Sequence, residues 1–194
     1  MEGGQTAAAW GAAFGNLIGD VLGGTIGPGS FFGVLGNLVY GFVPYRILRL
    51  QGERNPLGSP AGWALFFFQL FLASALCATI IALGVEVIGI PFAFLVHTIF
   101  INNMIVSIIL VPLLMRALGK RIVEMKLSYA QILSPEEISN PPLRSAGAII
   151  VTAVLFLFYA IMMVPGLLES LPIAPNMFKI GGSVLLTLVA LLLL

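Results

Sequence analysis

Most of the chain consists of apolar runs that are each long enough to cross a lipid bilayer as a helix. A bilayer core of ~30 Å requires about 20 apolar residues in a helix. Of the 194 residues, 59% are hydrophobic and 9% are charged, and the runs lack the alternating polarity of membrane β-strands. The sequence therefore predicts an all-α membrane protein, a polytopic bundle of about six transmembrane helices. The predicted spans are residues 6–26, 30–49, 61–84, 91–118, 144–166 and 177–194.

Polar segments divide a single membrane domain, residues 1–194, into three parts. Residues 1–121 hold the first four spans, residues 122–143 form a cytoplasmic connector, and residues 144–194 hold two additional transmembrane helices. In the connector, residues 134–137 read Ser-Pro-Glu-Glu, which fits a capping box with proline at the first helical position. The sequence predicts a short helix at that point.

The basic residues predict how the chain is oriented in the membrane. Loops rich in lysine and arginine stay in the cytoplasm, and in the six-span arrangement Lys179 alone lies on the other side. We therefore expect a multi-pass protein of the inner (plasma) membrane with both termini in the cytoplasm. The residues on the cytoplasmic side are Arg46, Arg49, Arg54, Arg116, Lys120, Arg121, Lys126 and Arg144.

Glycine recurs at every fourth residue in the first two spans. With ~3.6 residues per turn, this spacing places small residues in one groove on each helix. In lipid, such grooves let helix backbones approach closely and hold the helices together. The pattern predicts a tightly packed hairpin that turns at residues 27–29. The glycines are Gly11, Gly15, Gly19, Gly23, Gly29, Gly33 and Gly41, with Asn37 at the remaining place.

The same two spans carry polar side chains that lipid cannot satisfy. Asn16 and Asp20 are four residues apart and share a face, while Asn37 and Tyr40 lie on the second span. Such groups are expected to point into protein or into a wet cavity. Two simpler interpretations stay open. Asp20 could reach headgroup water, and Asn37 could bond a backbone carbonyl of the neighbouring helix.

The fourth span adds a second set of polar residues. Thr98 and Asn102 share one face and Asn103 and Ser107 another, which predicts different contacts for the two asparagines. His97 is expected near the outer face. A lone histidine at the start of a helix is typical of a hydrogen-bonded structural residue, and an axial ligand to a haem or chlorophyll is the alternative.

The residues needed for most chemistry are missing from the sequence. The chain has one histidine and one cysteine, Cys77, and it contains no zinc, phosphate-loop or nucleophile motif. We therefore predict no enzymatic activity, no metal and no cofactor. The net charge of +1 leaves no basic face for nucleic acid.

Three stretches of the chain carry a family resemblance: WGAAFGNLIGDVLGG, SFFGVLGNLVYGFVPYRIL and TIFINNMIVSIILVPLLMRALGKR. Over about residues 10–121 the chain resembles the substrate-binding (S) components of energy-coupling factor (ECF) transporters, which import vitamins and micronutrients. The resemblance begins where that family usually has its second helix, and the last two spans extend beyond it.

The resemblance implies a small helical bundle that binds a vitamin-like molecule from the outside. It also implies partners, namely a transmembrane coupling subunit and two cytoplasmic ATPases that supply the energy. Together with the polar clusters, it predicts a substrate site formed by Asn16, Asp20, Asn37, Tyr40, His97 and Asn102.

Two functions follow from these observations. The first is a membrane-embedded substrate-binding subunit of a small-molecule uptake transporter. The alternative is a structural or accessory subunit of a larger membrane complex, such as a redox or photosynthetic one, in which the small-residue grooves bind other helices.

Overall fold

A computed structural model describes residues 3–49, 59–126 and 143–193 as a bundle of helices. Each of the six predicted spans is found as a helix within these residues, so the all-helical membrane fold is confirmed. The residues of the predicted capping box lie outside the described part of the chain. The helices are α1 (Gly3–Leu22), α2 (Pro28–Arg49), α3 (Pro60–Glu86), α4 (Phe92–Glu124), α5 (Leu143–Met163) and α6 (Pro175–Leu193).

Four of the helices, α3 to α6, are long and apolar enough to cross a membrane by themselves. The helices α1 and α2 carry the glycines and the polar residues described above and do not reach the same hydropathy within the described residues. That they also cross the membrane remains a prediction. In the described residues α2 packs against the apolar helix α3, and α1 packs against α2, so protein covers part of their polar surface.

The helix α3 forms the centre of the bundle, and α2, α4, α5 and α6 all pack against it. Its sequence is apolar on every side, which is typical of a helix surrounded by protein. Ser59 caps its first turn by accepting a hydrogen bond from the backbone N–H of Gly62 at 3.1 Å. Its most deeply buried side chains are Leu72, Leu76, Ile80 and Leu83, each at most 1% exposed.

The turn between α1 and α2 lies slightly earlier than the sequence indicated. The first helix ends at Leu22, and Pro28 already begins α2, so the turn is formed by residues 23–27. Gly24 has a φ of +66°, a left-handed conformation that glycine adopts without strain after a helix end. Proline suits the first position of a helix because its missing N–H has no partner there anyway.

The two helices pack tightly, but the glycines of α1 do not form the contact. A Cβ atom added at Gly41 would lie 2.3 Å from the carbonyl oxygen of Ala8 and 2.9 Å from the Cβ of Ala12. Gly41 of α2 therefore packs against alanines of α1. At Gly11, Gly15 and Gly19 nothing lies within 4 Å of an added Cβ. The prediction of facing glycine grooves is wrong for α1, where these three glycines face away from the bundle.

The last two helices return to the centre of the bundle. Ser183 of α6 donates a hydrogen bond to the carbonyl oxygen of Ile80 in α3 at 2.9 Å. An added Cβ at Gly182 would lie 2.4 Å from the ring of Phe158, so α5 and α6 are in close contact. These contacts make α5 and α6 part of the same packed bundle as the first four helices.

Candidate functional site

A cavity of about 480 Å³ lies between α1, α2, α3 and α4. Its volume is within the range of small-ligand pockets, about 300–1,000 Å³. Thr25 in the α1–α2 turn and Ile90 in the α3–α4 turn both line it, so it lies at the end of the bundle where these turns meet. Arg116 and Lys120 lie towards the opposite end of α4. The cavity is therefore at the end predicted to face outside.

Polar side chains from three helices and one turn converge on this cavity, which we call the polar cavity. Four of the six predicted site residues line it: Asn16, Asp20, Asn37 and Asn102. The sequence interpretation missed Thr25, Ser30 and Asn103 as further lining residues. Cys77, Ile81 and Val85 of α3 form the apolar back wall. The cavity thus combines a polar side, which can fix the orientation of a ligand by hydrogen bonds, with an apolar side that can cover it.

Gly33 of α2 allows α1 to bring its polar side chains against the second helix. A Cβ at this position would lie 2.7 Å from Nδ2 of Asn16 and 4.0 Å from Oδ2 of Asp20. Nδ2 of Asn16 in turn lies 3.5 Å from Oδ2 of Asp20, so the amide and the carboxylate form one recognition surface. Any larger residue at Gly33 would push Asn16 out of this position.

Asn37 is fixed on the α2 side of the polar cavity by its own helix. Its Nδ2 donates a hydrogen bond to the carbonyl oxygen of Gly33 at 2.9 Å. The simpler interpretation of Asn37 was a bond to a backbone carbonyl of the neighbouring helix. Its amide nitrogen instead bonds a carbonyl of its own helix. The bond uses one amide donor, and it orients the side chain beside Asn16 and Asp20 in the cavity wall.

The helix α4 contributes two adjacent asparagines to the opposite wall. Asn102 and Asn103 both line the polar cavity, together with Ile99 one turn earlier and Leu95 two turns earlier. From the sequence, Asn102 and Asn103 were placed on different faces of α4 and were expected to make different contacts. Both nevertheless border the same cavity, because neighbouring positions on a helix differ by only ~100° and a wide cavity spans both directions. The Asn-Asn pair itself was the available indication that Asn103 belongs to the site.

Tyr40 does not line the polar cavity but lies one turn beyond Asn37. Its hydroxyl is hydrogen-bonded to the hydroxyl of Ser107, which lies one turn beyond Asn103 on α4. The bond therefore joins α2 to α4 at the inner end of the cavity. Tyr40 is placed to hold the two walls together and not to touch a ligand in the cavity.

His97 lies outside the polar cavity, on the other side of α4. Its Nδ1–H donates to the carbonyl oxygen of Ala93 at 2.6 Å, since a carbonyl oxygen can only accept. Its Nε2 then accepts from the hydroxyl of Tyr159 in α5 at 2.9 Å. His97 borders a smaller, apolar cavity of about 260 Å³ between α3, α4 and α5. Both ring nitrogens thus have partners, as in a structural histidine, and an axial ligand at Nε2 would have to displace Tyr159.

Glu86, a carboxylate at the outer end of α3, is part of an ion pair. It ends α3, and its Oε1 lies 3.6 Å from Nζ of Lys179 in α6. Glu86 is not among the residues that line the polar cavity, and of the described carboxylates only Asp20 lines it. In the described residues, no three of the side chains His, Cys, Asp and Glu lie close enough together to hold a metal ion.

Comparison with protein families shows which family the chain belongs to. The family model described as QueT transporter matches residues 4–120, which is more than half of the chain. The chain belongs to the QueT transporter family. QueT transporters are S components of ECF transporters, so the resemblance described above is confirmed. No curated protein and no solved structure matches the chain.

Membership of the QueT transporter family makes this chain a membrane S component for small-molecule uptake. It favours the transport function over the structural-subunit alternative. The family match includes the four helices that form the polar cavity and ends within α4. The helices α5 and α6 lie beyond the matched residues, although they complete the packing around α3.

Proposed function

We propose that this QueT-family protein binds a queuosine precursor in the polar cavity and delivers it for import by partner subunits. The observation that carries the proposal is the convergence of one carboxylate and four asparagine amides on a single cavity. The family relation to a queuosine precursor supplies the substrate class. The binding residues are Asn16, Asp20, Asn37, Asn102 and Asn103.

The chemistry of the polar cavity suits a guanine-like base. Queuosine is a modified guanosine, and a guanine ring offers adjacent N–H donors on one edge and acceptors on another. The carboxylate of Asp20 can accept two such N–H groups, while each asparagine can both donate and accept. Ile81 and Ile99 supply apolar surface for the faces of a flat ring. Recognition of the hydrogen-bonding edges of a ligand gives specificity, because an unsuitable ligand leaves polar groups of the cavity unpaired.

The direct test is binding of a queuosine precursor base to the purified chain in detergent, measured by titration calorimetry with adenine as the comparison ligand. Asn102→Ala is expected to weaken binding of the precursor by roughly 5- to 10-fold, the effect of one lost hydrogen bond of about 1–1.5 kcal/mol. Thr98→Ala is the matched control on α4, because Thr98 bonds its own backbone at Phe94 and lies outside the polar cavity.

Three results of the binding measurements would contradict parts of the proposal. Absence of binding by the wild-type chain would contradict the proposed substrate. Binding that is equally strong in the Asn102→Ala and Thr98→Ala variants would contradict the role of Asn102. Equal affinity for adenine and for the precursor would contradict recognition of a guanine-like edge.

The energy for uptake is supplied, in this proposal, by a transmembrane coupling subunit and two cytoplasmic ATPases. The outward face of α1 supports such a partner. Gly11, Gly15 and Gly19 lie on this face at a spacing of four, with nothing within 4 Å of an added Cβ. In lipid, a small-residue face of this kind favours close packing of another helix. We assign this α1 glycine stripe to the coupling subunit.

Gly15→Leu is expected to reduce co-purification of the coupling subunit and the ATPases to near background while leaving binding of the precursor unchanged. A leucine at position 15 would not collide with the described residues of this chain, but its side chain would prevent the close approach of a partner helix. Gly181→Leu on α6 is the matched control, because nothing lies within 4 Å of an added Cβ there either. Pull-down of a tagged chain from membranes containing all subunits measures the effect. Equal recovery of partners with both variants would contradict the assignment.

The proposal also includes the orientation of the chain in the membrane. Placing the basic end of α4 in the cytoplasm, as loops rich in lysine and arginine require, opens the polar cavity to the outside. The chain would then receive its solute from outside the inner membrane, with both termini in the cytoplasm.

A further inference from the structure

The last turns of α4 carry basic side chains among apolar ones, whereas the span before them has no lysine or arginine. The helix has 33 residues, which corresponds to about 50 Å, whereas a bilayer core of ~30 Å needs about 20 residues. Pro112 lies inside the helix, just before the surplus length. We call residues 113–125 the α4 extension.

One face of the α4 extension is cationic. Arg116, Lys120 and Arg121 fall within less than half of the helix circumference, and all three are exposed. Glu124 lies on the same face, with Oε1 3.9 Å from Nζ of Lys120. With Lys126 directly after the helix, four basic residues and one acidic residue give this end a net charge of +3.

The other face of the α4 extension is apolar and open. In the described part of the chain its side chains have no packing partner that covers them, and their exposure runs from 39% for Met115 to 67% for Met125. In a soluble environment such a face would demand a protein partner. The helix, however, continues directly from a membrane span, so its apolar face leaves the bilayer core at the level of the lipid headgroups. The remaining side chains of this face are Leu114, Leu118 and Ile122.

We infer that the α4 extension is an interfacial segment that binds anionic phospholipid headgroups at the cytoplasmic surface of the membrane. The α4 extension continues the axis of a membrane span, so where it leaves the bilayer core its basic side chains lie at the level of the lipid headgroups and its apolar side chains stay near the acyl boundary. The guanidinium groups of Arg116 and Arg121 can each form bidentate hydrogen bonds with a phosphate. The charge of +3 selects anionic over zwitterionic headgroups. This binding does not depend on the identity of the imported solute.

The test compares retention of phosphatidylglycerol and phosphatidylcholine by the purified full-length chain, counted by native mass spectrometry. The wild-type chain is expected to retain phosphatidylglycerol preferentially. The triple variant Arg116→Gln/Lys120→Gln/Arg121→Gln is expected to bind phosphatidylglycerol at least roughly tenfold more weakly, since each basic residue near an anionic surface contributes substantially to the attraction. The charge-conserving variant Arg116→Lys/Arg121→Lys is the matched control and should keep most of the preference.

A second measurement needs no variant. The preference of the wild-type chain for phosphatidylglycerol should shrink as salt is raised, because ionic strength screens exposed charges. Equal retention of the two lipids, or a preference that neither salt nor the triple variant reduces, would overturn the inference. Loss of a co-purifying protein from the triple variant, with phosphatidylglycerol retention unchanged, would assign the surface to a protein partner and would also overturn it.

Discussion

Replacement of Gly41 by leucine is expected to separate α1 from α2 and to lower the free energy of unfolding by about 3 kcal/mol, the upper part of the usual range for overpacking. An added Cβ at Gly41 would lie 2.3 Å from the carbonyl oxygen of Ala8 and 2.9 Å from the Cβ of Ala12. Neither a backbone oxygen nor an alanine Cβ can rotate away, so one helix must move. The polar cavity should be lost as well, because α1 carries Asn16 and Asp20.

Thermal unfolding in detergent, followed by circular dichroism, measures the effect of Gly41→Leu. The matched control is Gly15→Leu, the same substitution on the partner helix at a position with free space around it. We expect the control to melt close to the wild-type temperature. Equal melting temperatures for Gly41→Leu and the wild type would mean that α1 does not pack against α2 through Ala8 and Ala12 in the membrane protein.

Replacement of Asp20 by asparagine is expected to weaken binding of the queuosine precursor by roughly 10- to 100-fold, which corresponds to the 1.5–3 kcal/mol of a hydrogen bond to a charged group. Asparagine preserves the shape of the side chain but removes the charge and one of the two acceptor oxygens. Asp20 supplies the carboxylate of the polar cavity, and Nδ2 of Asn16 already lies 3.5 Å from it. A ligand that approaches with two N–H groups therefore meets an oriented acceptor.

Titration calorimetry on the purified Asp20→Asn variant measures this loss, with Glu169→Gln as the matched control. Glu169 is an exposed carboxylate between α5 and α6, so its removal changes the net charge equally without touching the cavity. Unchanged affinity in both variants, in a wild-type chain that does bind the precursor, would place the site elsewhere than at α1. An equal loss in both variants would indicate a long-range effect of charge instead of a contact.

The predicted helices and their order followed from the sequence with little ambiguity. The apolar runs had the length that a bilayer requires, and the observed α3, Pro60–Glu86, extends only slightly beyond the span predicted over residues 61–84. The end of α4 was predicted less well, because residues 113–124 mix apolar and basic side chains and continue the helix beyond the apolar run. Hydropathy identifies the part of a helix in lipid and gives no limit for a helix that continues past it.

The residues of the polar cavity were partly predictable from the properties of lipid. Lipid cannot hydrogen-bond Asn16, Asp20, Asn37 or Asn102, so the sequence alone required them to turn towards protein or water. That requirement holds for any arrangement of the helices. It does not say which polar residues share a cavity, and His97 and Tyr40 satisfied the same requirement through Tyr159 and Ser107 instead.

The sequence by itself determined that this chain is a helical membrane bundle with small residues and polar amides in its first two helices. Only the tertiary structure decided which face of each helix meets which neighbour. In α1, an alanine face with Ala8 and Ala12 and a glycine face with Gly11 and Gly15 are both small enough for close packing. Periodicity defines the faces of a helix, but the rotation of the helix about its axis depends on all of its packing contacts at once. For this reason the glycines of α1 face outwards, and the polar residues of α1, α2 and α4 meet in one cavity.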